Sequence, residues 1–573
     1  MSVTPVSKNL AEILVPRHDL DQWWRRAVIY QIYPRSFADG NGDGIGDFSG
    51  VIQRFSHLVD LGIDAIWFSP FYPSPQNDTG YDVSDYFAIN PEYGTLEEFD
   101  QIVELAKENN IKIIIDVVPN HTSSQHQWFQ DALGAGHGSR ERDRYIFKHS
   151  EGKPPTNWGA NFGGPAWSLV QPLSGKEEDK DWWYMHLFDP SQPDVNWDNQ
   201  DVRDHFQEFF KFWMDRGVAG FRVDVANGLV KDPAFPDDHI GPDRWHSEDN
   251  GAKAGDAGPY YDQEGVHEIY RDWRKVLDGH GSDRMMVAEA WVTPPERQAR
   301  YVREDEMSQA FNFDVLKCGW NAQTLRRIIT NSVTANAAVG APTTWVLSNH
   351  DVVRHATRFG YPYLADMSAG IGPTDPQPDG VMGLRRAKAL TLFLAGLPGS
   401  WYIYQGEELG LPEATLLPDE CREDPIWART GHRVRGRDGC RVPLPWETQG
   451  DSLGFSASGK SWLPIPEDWG SLSASSQDLD PTSTLAWYRA LIATRSSLKL
   501  AEGGLIWLES HPDVLMVLNG DIVLAVNMGM EAQTCMPGKV LMASRDWPQY
   551  SEGSPMPVVL EPNDAVWLRP AEM

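Results

Sequence analysis

Asp224, Glu289 and Asp351 are the residues of this 573-residue chain whose types and surroundings promise chemistry. Each follows a short apolar run: Gly220-Phe-Arg-Val-Asp224, Met285-Met-Val-Ala-Glu289, and Thr344-Trp-Val-Leu-Ser348 ahead of Asn349-His350-Asp351. Side chains alternate along a strand, so Arg222 and Asp224 face one side and Phe221, Val223 and Val225 pack on the other. An arginine and an aspartate delivered together make either a structural ion pair or a polar site. Several strand ends of this kind in one chain favour the site. Three acids in one pocket raise one another's pKa values, so one stays protonated as general acid while another stays ionised as nucleophile. Arg222 would keep Asp224 ionised by its positive charge. One acid to protonate a leaving oxygen and one carboxylate to attack an anomeric carbon is the equipment for cleaving a glycosidic bond. His121 and His350 suit hydrogen bonds to sugar hydroxyls.

The elements that must position these residues read as strands alternating with helices. Strands are expected at 27–33, 64–68, 111–118, 220–226, 285–289, 310–313, 344–348 and 400–404, which makes eight, the number that closes a barrel. Ile111 to Val118 is a nearly continuous apolar run, as for a strand buried on both faces. Helices are expected near 51–61, 95–109, 202–215 and 483–496. The second has Thr95 as N-cap and Glu98 three residues on, a capping-box spacing. The fold class is α/β, a (β/α)8 TIM barrel spanning 1–121 and 197–495. Residues 122–196 are rich in Trp, Gly and Pro and read as an irregular domain inserted after the third strand. A smaller irregular insertion follows the eighth strand at about 409–478. Short alternating segments over 496–573 read as a C-terminal antiparallel β domain.

A second constellation lies in one loop, Asp39-Gly-Asn41-Gly-Asp43-Gly-Ile45-Gly-Asp47. Oxygen donors alternate with glycine, and the order is that of the start of an EF-hand calcium loop. Asp39, Asn41, Asp43 and Asp47 would converge on one hard cation, with the Ile45 carbonyl adding a ligand. No organic cofactor is expected. A net charge of −31 argues against nucleic acid or an anionic membrane surface as partner. No run is long enough for a membrane span, and Met1 to Leu20 holds no continuous apolar leader. Cys318, Cys421, Cys440 and Cys535 form no C-x-x-C pair, which argues against zinc and suits a reducing, cytoplasmic setting. The chain is expected to be a monomer or homodimer.

Asp116-Val-Val-Pro-Asn-His121, Gly220-Phe-Arg-Val-Asp224, the Glu289 strand end and Asn349-His-Asp351 resemble, in order and spacing, the four marker regions of the α-amylase superfamily, glycoside hydrolase family 13. The resemblance runs from about Trp23 to the end of the chain. It implies a retaining enzyme with Asp224 as nucleophile, Glu289 as acid/base and Asp351 as the third carboxylate, which stabilises the oxocarbenium-like state. It also implies that Asp82, His121, Arg222 and His350 hold the non-reducing glucose, and that 122–196 is the family's B domain. The Asp39–Asp47 loop, Gln192-Pro-Asp-Val-Asn196 and Arg437-Asp-Gly-Cys-Arg441-Val-Pro resemble the α-glucosidase and oligo-1,6-glucosidase branch. By that likeness the loop cation is calcium or magnesium, Arg441 closes the pocket and Phe162 forms its wall. Val225, after the nucleophile, leans towards α-1,6 bonds, though one wall side chain is worth only about 1–3 kcal/mol.

The implied activity is an exo-acting α-glucosidase releasing α-glucose from short α-1,4 and α-1,6 glucosides such as maltose, isomaltose, panose or sucrose. A glucosyl-transferring or isomerising relative, of the trehalose synthase or sucrose isomerase kind, is the alternative. A non-catalytic barrel accompanying amino-acid transporters is a remote one, needing a lost carboxylate and a membrane helix. Endo-acting relatives carry a different calcium site at the B domain.

Overall fold

The computed structural model describes residues 13–14, 22–241, 257–362, 367, 369–547 and 557–571. Most of the Met1–Leu20 segment, read above as lacking a leader, lies outside them. Eight parallel strands form the central sheet: β1 Val28–Ile32, β2 Ala65–Phe68, β3 Lys112–Val117, β4 Gly220–Val223, β5 Met285–Ala288, β6 Gln309–Ala310, β7 Thr344–Val346 and β8 Ser400–Tyr404. Their hydrogen-bonded order is β6-β5-β4-β3-β2-β1-β8-β7, a nearly closed barrel.

Alternation along these strands builds two apolar layers. Ile29, Ala65, Trp67, Ile114, Val287, Val346 and Tyr402 fill the barrel's interior. Trp67 is the centre of that filling, 5.4 Å from Phe311 and 6.2 Å from Tyr402 between ring centroids. A buried ring of this size is worth about 3–5 kcal/mol against alanine. The outward layer meets the helices. Helix Gln200–Asp215 buries Val202, Phe206, Phe209, Phe210 and Trp213, an i, i+3, i+4 stripe. Phe210 packs edge-on against Phe221 of β4 at 4.7 Å, which seats the strand whose other face carries Arg222. Helix Leu96–Glu108 opens with both halves of the expected capping box: Thr95 Oγ1 accepts from Glu98 N–H, and the Glu98 carboxylate accepts from Thr95 N–H.

Between β3 and β4 lies a three-stranded antiparallel sheet, Phe147–His149, Trp182–Met185 and Trp167–Leu169, in the 122–196 insertion. After β8 the chain runs through short helices before helix Thr484–Ser497. A seven-stranded antiparallel sheet follows, whose Trp567 donates its indole N–H to Leu392 O at 2.9 Å. That bond fixes the C-terminal sheet to the barrel's helix Gly380–Ala395.

Four local expectations are corrected. Ile13–Leu14, assigned with 1–121 to the barrel, pair with Gly504 and Leu505 and extend the C-terminal sheet. The expected helix 51–61 is two, Phe48–Gln53 and Phe55–Leu61, interrupted at Arg54. The sixth strand stops at Ala310, because Asn312 accepts from Val315 N–H at 3.2 Å and caps a helix over Phe313–Lys317. The fourth strand stops at Val223, and Val225 takes φ +46°. A β-branched residue in the left-handed region is strained, and such strain gathers at active sites. Val225 therefore leaves the packed face assigned to it and joins Trp158, Tyr260 and Tyr261 under the inserted domain.

Candidate active site

Arg222 is the hub. Its Nη1 contacts Asp116 Oδ1 at 3.1 Å and Asp224 Oδ1 at 2.7 Å, and its Nη2 contacts Glu289 Oε2 at 2.8 Å. The guanidinium stands over Trp67, 5.4 Å from the ring, so the barrel filling is also the floor of the site. Glu289 Oε2 also accepts from Val225 N–H at 3.1 Å, a bond the left-handed turn makes available. Asp116 is a member of the site that the sequence reading left as a motif residue. Tyr81 donates its hydroxyl to Asp116 Oδ2 at 3.0 Å and lies 2.6 Å from His350 Nε2. Gln31 Nε2 meets the other ring nitrogen of His350 at 2.7 Å, and Tyr81 and His350 stack 4° from parallel.

Burial pushes the Asp116 carboxyl up to about 7 against the pull of Arg222. Burial also holds Asp224 well above the usual carboxylate range; Arg222 opposes, and Glu289 and Asp116 add to the rise. Arg222 therefore does not fix an ionised Asp224 by itself in the free site, as the sequence alone suggested. One guanidinium faces three carboxyls, so a proton is retained among them. A retained proton beside a nucleophilic carboxylate is what leaving-group protonation needs.

Asp351 sits in the opposite electrostatic setting. Its Oδ1 accepts from Arg437 Nη1 and Arg441 Nη2, both at 3.1 Å, and its Oδ2 lies 3.2 Å from His350 Nε2. Burial works to raise its pKa, yet His350 and the Arg437 and Arg441 guanidinium groups hold it well below the ordinary range. Arg441 is fully buried, donating also to His350 O and to Thr79 Oγ1. Arg437 was missed as a site residue. It reaches Asp78 at 2.9 Å, Asp351 at 3.1 Å and Asp424 at 2.6 Å, so it ties the loop after β2 to the end of β7 and to the insertion after β8. Its spacing from Arg441 was the available signal, since residues i and i+4 of one helical turn share a face. Phe162 lies 5.3 Å beneath the Arg437 guanidinium and 5.8 Å from Phe188.

Asp82 is a correction. Its carboxylate accepts from Ser74 Oγ at 2.6 Å, Asn77 N–H at 3.0 Å and Asp78 N–H at 3.2 Å. These bonds spend it on shaping its own loop. Asp78 faces the site instead, accepting from Arg437 and from Gln192 Nε2 at 3.0 Å. Burial raises Asp78 to about 6, with Arg437 opposing. His121 is buried beside Phe188, its Nδ1 3.2 Å from Asn120 Nδ2 and its Nε2 3.2 Å from Tyr81 O. Burial lowers its pKa to about 4, so the ring is neutral.

The inserted domain is anchored by a cation belonging to the chain. Lys231 Nζ contacts Asp194 Oδ2 and Asn120 Oδ1, each at 2.8 Å, and Gly228 O at 2.5 Å. An ammonium with three oxygen partners ties Asp194 of the insertion to the end of β3 and to the turn after β4.

The Asp39–Asp47 loop is folded around its own amides. Asp39 accepts from the N–H groups of Asn41, Gly42 and Gly44, and Asp47 from those of Gly40, Asn41 and Gly50. Asp43 accepts from Ile45 N–H at 2.8 Å. Among the described residues no three His, Cys, Asp or Glu side chains converge as metal donors, so the expected convergence is not formed by side chains alone. The donors are nonetheless all oxygen, as a hard cation prefers. Among the described residues no Arg, Lys or His pairs with Asp39, Asp43 or Asp47.

An eight-stranded parallel barrel with carboxyls at the ends of β4, β5 and β7, gathered around buried arginines, defines a glycoside hydrolase. Residues 31–503 match the family described as "Alpha amylase, catalytic domain". The chain belongs to that family. It is 36% identical over 594 residues to the trehalose-6-phosphate hydrolase of Escherichia coli (strain K12), covering 96% of this chain and 99% of that one. It is 32% identical over 550 residues to the oligo-1,6-glucosidase of Bacillus cereus, covering 90% and 92%. The crystal structure of an alpha-glucosyl transfer enzyme, XgtA, superposes with a TM-score of 0.81 at 31% identity, over 96% of this chain and 100% of that one. The chain is therefore a glucosidase-type hydrolase of the α-amylase family, and among the described residues no helix is long and apolar enough to cross a membrane.

Proposed function

We propose that the protein is a retaining, exo-acting α-glucosidase that releases α-glucose from the non-reducing ends of short α-1,4 and α-1,6 glucosides. The observation that carries the reading is the ion-pair bridge on one side of the site. Arg437 joins Asp78, Asp351 and Asp424 from three separate segments, a bridge that would stop further sugar units beyond the one at Asp351. Asp224 attacks the anomeric carbon while Glu289 gives a proton to the glycosidic oxygen. The bond to the leaving sugar breaks and a β-glucosyl ester of Asp224 forms. Glu289, now a base, takes a proton from water, which displaces Asp224 with a second inversion. Asp224 and Glu289 share one guanidinium, which supports this route: an inverting pair leaves about 6.5–9.5 Å for a water, a retaining pair about 5–5.5 Å. The excess of carboxyls (Asp78, Asp116, Asp224, Glu289, Asp351, Asp424) over arginines (Arg222, Arg437, Arg441) favours the cationic transition state.

A panel of maltose, isomaltose, sucrose, trehalose, trehalose 6-phosphate and soluble starch, read by proton NMR, tests the proposal. Glucose should appear first as the α-anomer from the short substrates, with starch largely spared. Oligosaccharides from starch, or β-glucose first, would overturn it. The likeness to a glucosyl transfer enzyme and to trehalulose synthases supports a second reading, in which another sugar replaces water on the Asp224 ester. Isomerised disaccharide in place of free glucose would favour that reading. The Val225 side chain belongs to an apolar cluster shared by the inserted domain and Tyr260 and Tyr261, so its influence on linkage includes how that cluster is packed.

The Asp39–Asp47 loop is part of the same proposal, with Asp39, Asn41, Asp43, Asp47 and the Ile45 carbonyl holding calcium or magnesium. Its role is structural, since the loop lies before the helix Phe48–Gln53 that Asp47 caps. Chelator treatment should lower the melting temperature by several degrees, and added calcium or magnesium should restore it. A melting temperature indifferent to chelator and to both cations would remove the cation. The cytoplasmic setting also belongs to this proposal and fits four unpaired thiols.

A further inference from the structure

The two oxygens of Glu289 are treated differently. Oε2 is held by Arg222 Nη2 at 2.8 Å and by Val225 N–H at 3.1 Å. Oε1 accepts from Trp291 Nε1 at 3.1 Å. The indole is itself fixed. It stacks on Phe313 with 3.8 Å between centroids and 8° between planes, and Lys317 Nζ lies 4.2 Å from its ring. Phe313 and Lys317 begin and end one short helix, so a single element at the end of β6 backs the indole twice. Trp291 nonetheless remains 39% exposed, unlike the fully buried Trp67, Trp158, Trp167, Trp213, Trp273, Trp345 and Trp401. The core does not require this ring, and the sequence of the site did not single it out.

We propose that Trp291 is a positioning residue for the general acid: its indole N–H aims Glu289 Oε1 at the leaving oxygen, and its open edge borders the space the leaving sugar occupies. The inference rests on the proposed function and deepens it on the leaving-group side. Oε2 is committed to Arg222 and the backbone, so Oε1 is the oxygen left to meet the glycosidic oxygen. A general acid must come within about 2.6–3.2 Å of the atom it protonates. Any atom that close to Oε1 is also beside the indole. Loss of the N–H leaves Oε1 without a fixed direction, and as the proton leaves in the transition state the carboxylate gains charge, where a hydrogen bond is worth about a tenfold change or more.

The test compares wild type with Trp291→Phe, which keeps a stacking ring and deletes the donor. The readout is kcat/KM, which reports only the steps up to formation of the glucosyl ester. Maltose has a poor leaving group that needs the acid, whereas nitrophenyl α-glucoside departs with little help. We expect kcat/KM for maltose to fall about 10-fold or more and that for nitrophenyl α-glucoside to stay within about 2-fold. Equal losses on both substrates, or no loss on maltose, would overturn the assignment. Should Trp291→Phe not fold, Phe313→Leu, which keeps the N–H and loosens its backing, takes its place: the same split between the two substrates supports the assignment, and equal losses or none overturn it. A wild type that cleaves neither glucoside would instead count against the proposed function.

Discussion

Asp224→Ala is expected to lower kcat/KM on maltose by about 10,000-fold or more while leaving the melting temperature unchanged or slightly raised. The catalytic half follows from what remains. Arg222 keeps Asp116 at 3.1 Å and Glu289 at 2.8 Å, but neither replaces a carboxylate at the end of β4. Asp116 is fully buried on β3 and already accepts from Tyr81. Glu289 is needed as the proton donor. The stability half follows from the charges. Three carboxyls crowd one guanidinium, and burial holds Asp224 well above its ordinary pKa. Removing one of them relieves repulsion, and Arg222 still has two partners. Azide supplies a positive control, because a small anion entering the space of the lost side chain should restore turnover and give a β-glucosyl azide. Residual activity above about one hundredth of wild type, or an α-configured azide product, would place the nucleophile elsewhere.

Much of this site was legible because its parts are local. Apolar runs that end in a polar residue mark strand ends, and eight of them imply a barrel whose ends meet. Arg222 and Asp224 share a face by simple alternation, and their 2.7 Å contact follows from it. The capping box at Thr95 is equally local. What escaped depends on contacts between distant segments. Asp78 and Asp82 lie four residues apart in one loop, and nothing in their spacing says which carboxylate the loop spends on itself. The answer comes from Arg437, 359 residues further on, which draws Asp78 towards Asp351. Val225 looked like one more alternating strand residue. Its left-handed turn aims its N–H at Glu289, at the end of a different strand. Ile13–Leu14 found a partner strand almost five hundred residues away. Trp291 carried no local signal at all, since a tryptophan two residues after a strand-end acid reads as core.

Glu289→Gln is the second large effect, and its signature is a split between two steps. On maltose, kcat/KM should fall by about 1,000-fold or more, since the glycosidic oxygen loses its proton donor. On nitrophenyl α-glucoside the first step needs little protonation and should survive far better. The second step does not, because water then lacks its base. The glucosyl ester of Asp224 should therefore accumulate, visible as a burst of nitrophenol and as intact protein heavier by one anhydroglucose unit. The amide keeps the shape of the site but cannot satisfy both neighbours: with its oxygen towards Arg222, its NH2 faces the Trp291 N–H, and the reverse placement sets NH2 against the guanidinium. The pH profile separates the two roles. Burial raises the Asp224 pKa, with Arg222 opposing, and a raised carboxyl pKa withholds the ionised nucleophile until the pH climbs through it. Glu289 carries its proton in the productive form, so the neutral amide presents Asp224 with the same charge. The acid limb of kcat/KM for nitrophenyl α-glucoside should accordingly stay in place in the variant. Equal losses on both substrates, no protein-bound glucosyl, or loss of the acid limb would each break the division of labour between Glu289 as acid/base and Asp224 as nucleophile.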